Sequence, residues 1–171
     1  MRTAARVLVV GAGMAGVTAA RELARRGFAV TVADKSPRVG GRMATRRVPL
    51  NEGGEAVFDH GCQRLSATTE QVRRLLADLC EAGVLRPWAD RLPGLDGGPY
   101  FAVPAGMRAV VEHLAAGLDV LPGARVLRLD PADGGWQVGL SVPGPEAVDA
   151  VVLTPPVPQA LDLLPPGALP D

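Results

Sequence analysis

Residues 6–34 read Arg6-Val-Leu-Val-Val10-Gly11-Ala12-Gly13-Met14-Ala15-Gly16-Val-Thr-Ala-Ala20-Arg-Glu-Leu23-Ala-Arg-Arg26-Gly27-Phe-Ala29-Val30-Thr-Val32-Ala33-Asp34. The run from Arg6 to Val10 is short, apolar and β-rich, and reads as a buried strand. Glycines 11 and 13 break it. Met14 to Arg26, rich in Ala, Leu and Arg, reads as a helix that Gly27 stops in the left-handed conformation. Ala29 to Ala33 reads as a second strand ending at Asp34. Strand, helix and strand within about 30 residues make a βαβ unit, with parallel strands and a right-handed crossover.

Gly11-Ala12-Gly13-Met14-Ala15-Gly16 fits the G-x-G-x-x-G pattern of a dinucleotide-binding turn. Three spaced glycines are weak evidence in a chain with 21 glycines in 171 residues. Here the pattern follows a strand, opens a helix and precedes an acidic strand end, which is the context it requires. Gly11 permits the tight turn, Gly13 lets a pyrophosphate approach the backbone, and Gly16 lets helix and strand pack closely. The N–H groups and dipole at the helix start attract phosphate. Asp34 can accept a hydrogen bond from a ribose hydroxyl and would repel a 2′-phosphate, which disfavours NADP. The competing reading is a βαβ unit whose glycines serve packing alone. The pattern does not separate FAD from NAD.

Composition narrows the classes. Apolar residues make up 47% and charged residues 21%, a globular balance. Eighteen basic side chains meet 18 acidic ones, which argues against a nucleic-acid partner, since phosphate binding asks for a basic excess. No apolar run approaches the roughly 18–20 residues that span a bilayer, so no membrane association is expected. The N-terminal residues run into the glycine motif and not into a small-residue cleavage site, so no signal peptide is expected. Cys62 and Cys80 are then expected reduced in the cytoplasm, and neither sits at metal-ligand spacing.

Past Asp34, residues 35–55 lack a period and read as a loop or ragged hairpin, with a short strand at Val57 to His60. Thr68 and Gln71 predict a capping box opening a helix, with Val72, Leu75, Leu76, Leu79 and Cys80 on one apolar face. Residues 89–99 read as a loop and Tyr100 to Val103 as a strand. A helix is predicted from Ala105 to Ala116, and a strand at Leu118 to Leu121. Arg125 to Asp130 and Trp136 to Val142 read as a hairpin, with Trp136, Val138, Leu140 and Val142 on the buried face. Ala147 to Leu153 reads as one strand ended by Thr154-Pro155-Pro156, and Gln159 to Leu164 as a helical turn.

A second motif follows the acidic residue: Gly40-Gly41-Arg42-Met43-Ala44-Thr45-Arg46-Arg47, then Phe58-Asp59-His60-Gly61-Cys62-Gln63. Gly-Gly-Arg at this place resembles the second motif of two-domain flavoproteins, including amine oxidases. Its glycines allow a close backbone approach, and Arg42 offers a cationic fork to a pyrophosphate. The longer string, with Tyr100 to Met107 and Pro156 to Ala160, resembles the renalase family of FAD-dependent oxidases. Cys62 stands where that family more often has alanine, and Arg64-Leu65 where it more often has an aromatic pair.

The resemblance implies an α/β fold: a Rossmann-like FAD-binding βαβ domain with a β-hairpin or meander insertion and the start of a second, substrate domain. It assigns residues 1–61 and 105–171 to the FAD-binding domain and 62–104 to the substrate domain. It implies non-covalently bound FAD, a small-molecule substrate of dihydronicotinamide or amine type, and electrons passed to oxygen. The implied cofactor set is Gly11, Gly13, Met14, Ala15, Gly16, Asp34, Lys35, Gly41, Arg42, Met43, Gln63 and Val126. No catalytic residue is assigned, because the flavin carries the reaction. His60 reads as a turn residue that anchors its loop, Cys62 as a small buried filler, Trp88 and Trp136 as core or edge packing, and His113 as surface. Renalase-like proteins are about twice this long, so the chain resembles their first half. It is expected to act as one part of an oxidase, with a second chain supplying the rest, or as a non-catalytic dinucleotide-binding module, or as an inactive fragment.

Overall fold

The computed structural model describes residues 4–94 and 99–168. Residues 95–98 of the predicted 89–99 loop therefore lie outside the described residues. The first elements are β1 (Arg6–Val10), α1 (Met14–Arg25), β2 (Ala29–Asp34), a 3-10 turn (Gly41–Met43), β3 (Thr45–Pro49), β4 (Glu55–Asp59), β5 (Leu65–Ser66) and α2 (Glu70–Glu81). There follow β6 (Arg86–Ala89), β7 (Tyr100–Ala102), α3 (Arg108–Ala115), β8 (Asp119–Pro122), β9 (Val126–Ala132), β10 (Gly135–Leu140), β11 (Ala147–Val148), β12 (Ala150–Leu153) and α4 (Val157–Leu161). They belong to two compact units, Met1–Gly41 with Leu114–Asp171, and Arg42–His113.

The first unit is built on a parallel sheet in the order β12-β1-β2-β8. Val7, Leu8, Val9 and Val10 of β1 are all buried. A strand buried on consecutive residues is covered on both faces, which is why it reads as an unbroken apolar run. α1 buries Gly16, Val17 and Ala20. β9, β10 and β11 form an antiparallel meander, with a tight turn at Asp133-Gly134 where Gly134 has φ +74°. Val138 is buried in a core with Leu8, Val10, Ala33, Ala124, Val126, Leu129 and Val148, and Trp136 and Leu140 pack against it. Val142 does not join that face. β10 ends at Leu140, the register shifts at Gly139/Leu140, and Val142 is exposed.

The predicted single strand at 147–153 is two. β11 pairs with β10 in the meander, and β12 pairs with β1 in the parallel sheet. The change of sheet occurs at Asp149. Its N–H donates to Arg6 O at 2.9 Å, and its Oδ2 accepts the Arg6 N–H at 2.6 Å. A side chain that satisfies the main chain lets the backbone leave one ladder for another without stranding a polar group.

In the second unit β3 and β4 pair as a hairpin from Thr45↔Asp59 to Pro49↔Glu55. A separate antiparallel sheet has the order β5-β7-β6. α2 starts one residue later than predicted. Its N-cap is Thr69, whose Oγ1 accepts the Val72 N–H at 3.4 Å. Val72 is then the third helical residue, so Gln71 cannot close a capping box. Glu70 opens the first turn instead, where a carboxylate complements the helix dipole. Leu76 and Leu79 are buried while Val72 is exposed, so the apolar face is narrower than the periodicity suggests. Trp88, on the edge strand β6, is 58% exposed and is not a core residue.

α3 begins at Arg108, not Ala105. Gly106 has φ +90° and donates its N–H to Val103 O at 2.9 Å, a turn that no helix continues through. The following main chain is held by the hairpin. Asp59 Oδ1 accepts the Met107 N–H at 2.9 Å and the Thr45 hydroxyl at 2.6 Å, and Thr45 Oγ1 accepts the Arg108 N–H at 3.0 Å. The Thr45 hydroxyl donates to Asp59, whose carboxylate oxygen can only accept, and a lone pair of the same hydroxyl accepts from Arg108. Asp59→Ala removes an acceptor from two donors and is expected to cost about 2–3 kcal/mol, with Asp59→Asn costing less because Oδ1 remains. Urea denaturation of the three proteins measures this, and a loss below about 0.5 kcal/mol for Asp59→Ala would show that water replaces the carboxylate at no net cost.

Candidate functional site at the carboxyl edge of the parallel sheet

Parallel pairing sets Val10 beside both Ala33 and Leu153. The residues that follow these three strands ends therefore share one edge: Gly11, Asp34 and Thr154. In open α/β sheets ligands bind outside this edge.

Gly11 turns the chain with φ +103° and donates its N–H to Ala33 O at 2.8 Å. Gly16 is buried, and a Cβ there would run into the Gly11 carbonyl oxygen, a main-chain atom that cannot swing aside. Gly13 differs from both. It is the N-cap of α1 with extended φ −83° and ψ −176°, open to any residue. A Cβ on it would meet Gly41 Cα at 3.7 Å and Gly40 O at 3.9 Å, both ordinary contacts. No side chain caps α1, and its first turn holds no acidic residue. The N–H groups of Met14, Ala15 and Gly16 have no acceptor within the helix, as in every helical first turn.

Asp34 is 8% exposed. Its Oδ2 accepts the Ala12 N–H at 2.5 Å and its Oδ1 accepts the Ser36 N–H at 2.7 Å. A buried carboxylate needs such donors. Each oxygen keeps a further lone-pair site, so a hydroxyl can still bond to it. Lys35 is exposed. The loop beyond returns to the glycine turn: Gly40 N–H donates to Ala12 O at 2.9 Å, and Gly13 and Gly40 form a parallel bridge. Gly41, at φ +53°, lies close enough that a Cβ on it would stand 3.1 Å from Gly13 Cα. The second glycine pair is thus packed on the first.

Val126 is 6% exposed and its side chain belongs to the core, which leaves only its main chain available to a ligand. Arg42, Met43 and Gln63 fall in the second unit. Arg42 and Gln63 are exposed, and Met43 is buried. The Arg42 carbonyl accepts the Cys62 N–H at 2.9 Å, and a Cβ on Gly61 would collide with that same oxygen. Two expectations are corrected there. Cys62 is half-buried and not a core filler, with its thiol 3.1 Å from Arg64 O. The loop anchor is Asp59, not His60, whose exposed ring lines a shallow face with Arg46, Val48 and Phe58.

Ser36 and Thr154 were not singled out by the sequence patterns. Ser36 acts through main-chain groups, which leave no side-chain signature. Thr154 had a signal: it is the first polar residue past an apolar strand. Its relevance depends on that strand lying beside β1, a pairing across more than 140 positions.

The sequence profile of the NAD(P)-binding Rossmann-like domain matches residues 9–79, and that of the flavin containing amine oxidoreductases matches residues 82–171. The chain belongs to the flavin containing amine oxidoreductase family. Membership carries FAD as the cofactor. Renalase of Mus musculus is 31% identical over 169 residues, covering 92% of this chain and 49% of that protein. The chain thus spans about half the length of that relative. Among solved structures, a CLA-producing fatty acid isomerase from P. acnes superposes with a TM-score of 0.71 at 13% identity, covering 96% of this chain and 62% of that one. A putrescine oxidase double mutant gives 0.70 at 16% identity, covering 98% and 62%. At these identities the structures show a shared fold. Among the described residues, no helix is long and apolar enough to cross a membrane.

The two kinds of glycine separate in a simple test. Gly16→Ala is expected to cost about 3 kcal/mol or more, because neither helix nor turn can yield. Gly27→Ala has φ +87° and open space around its Cβ, so its cost is expected to be about 1–2 kcal/mol of left-handed strain. Chemical denaturation of both variants checks the order.

Proposed function

We propose that the carboxyl edge of the parallel sheet binds the ADP half of FAD, and that the chain is the cofactor-binding part of a renalase-type oxidoreductase. The observation that carries this is Gly13. Gly11 and Gly16 are required by the protein itself, through a positive φ and a main-chain collision. Gly13 is required by neither. A glycine that the fold does not demand, at the uncapped head of a helix, is accounted for by a ligand that approaches the backbone, and a pyrophosphate fits that place.

The residues present fit such a group. The first-turn N–H groups of Met14, Ala15 and Gly16 donate to phosphate oxygens. Asp34, held by Ala12 and Ser36, offers its remaining lone pairs to the adenosine ribose. Gly41 keeps the approach to Gly13 narrow, and Lys35 and the main chain of Val126 border the adenosine side. The parts of Arg42, Met43 and Gln63 rest on the family resemblance alone. FAD, when bound, supplies the two-electron acceptor for a substrate C–H bond. The substrate class proposed is a dihydronicotinamide isomer, with oxygen as the final acceptor. A second chain that completes the family's length belongs to the same reading.

Purified chain loaded with FAD is expected to show flavin absorbance that heat releases, and ADP is expected to compete for uptake. Asp34→Ala is expected to weaken FAD binding about tenfold or more, the worth of one charge-assisted hydrogen bond together with a loosened turn. Protein that stays colourless with excess FAD would sink the proposal. Anaerobic stopped-flow mixing with dihydronicotinamide isomers then tests the substrate class, with bleaching of the flavin band as the expected result.

A further inference from the structure

The Thr154 side chain stands against both ends of the glycine motif. Its Oγ1 donates to Val10 O at 2.8 Å, and its N–H donates to the same oxygen at 3.1 Å. That carbonyl is the last of β1, directly before the turn. Oγ1 also stands 2.6 Å from where a Cβ on Gly11 would be, and 3.2 Å from where one on Gly16 would be. One hydroxyl therefore occupies the space that both missing side chains leave. On the opposite side, the Gly11 N–H is held by Ala33 O. The turn is clasped between β12 and β2.

We propose that Thr154 is a positioning residue of the dinucleotide site: its hydroxyl holds the Gly11 turn in the shape that aims the first N–H groups of α1 at phosphate. The hydroxyl is suited to this place in two ways. It is smaller than a methyl group, and the room between Gly11 and Gly16 is already tight. It also bonds to Val10 O, which fixes its rotamer and so fixes where the oxygen presses. A second donor on that carbonyl restrains the peptide that leads into Gly11. The ligand side of this inference rests on the FAD reading above, whereas the claim that Thr154 holds the turn does not.

The test compares Thr154→Val, Thr154→Ala and Thr154→Ser. Valine keeps the shape but replaces the hydroxyl with a methyl, alanine removes the hydroxyl without adding bulk, and serine keeps it. Amide hydrogen exchange over residues 11–17 of the ligand-free protein reads the turn, with residues 70–81 of α2 as the internal reference. FAD titration reads the consequence. The valine and alanine variants are expected to exchange several-fold faster over 11–17 only, and to bind FAD about tenfold more weakly. Serine is expected to restore both to near the parent values. If valine does not fold, alanine against serine carries the comparison. Parent-like exchange and affinity in the hydroxyl-free variants would overturn the proposal. So would weaker binding without faster exchange, or faster exchange without weaker binding. If the parent chain itself refuses FAD, the cofactor reading falls, and exchange alone still decides whether Thr154 holds the turn.

Discussion

The buried carboxylate of Asp34 is the constraint on which the candidate site depends. A charge with 8% exposure is tolerable only where donors replace water, and the two it receives come from the glycine turn and from the loop that leaves β2. It therefore ties the end of β2 to the main chain of the glycine turn and of the loop that follows. Ser36 passes the restraint on, since its carbonyl accepts the Gly123 N–H at 2.8 Å. An acidic residue at this strand end is usually considered for what it offers a ribose. Here it also builds the pocket into which a ribose would fit.

Much of this was legible in the sequence, and the reasons are physical. β1, α1 and β2 are local in the chain, and their periods, their glycine stop and their acidic end point the same way. The second glycine pair was legible as a motif, but its packing onto Gly13 was not, because a main-chain bridge has no residue signature. The core face of β10 was readable from alternation as far as Leu140. It failed at Val142 because alternation reports which way a residue faces only while the strand continues. Helix starts were misplaced for a related reason. Thr68 and Thr69 offer the same hydroxyl, and only the tertiary setting selects between them. Gly106 looked permissible inside a helix until its positive φ put it before one.

Thr45 and Asp59 show the limit most clearly. Neither was expected to hold distant main chain, yet together they receive the approach to α3: Met107 lies 48 positions from Asp59, and Arg108 lies 63 from Thr45. Short polar residues are the common background of any sequence. What makes these two matter is the company that the hairpin brings them, and pairing of that kind is set by contacts between distant segments.

The split of the 147–153 run has a consequence for how the first unit comes apart. β11 and β12 are separated by Asp149 alone, and that residue is bonded to the Arg6 main chain through both its N–H and its side-chain carboxylate. No slack segment lies between the meander and the parallel sheet. Peeling the meander away would pull directly on the strand beside β1, and loosening β1 would release the residue that terminates the meander. The two sheets are thus wired in series, and the first unit should melt as one cooperative block, without a partly open form in which the nucleotide edge survives and the meander does not.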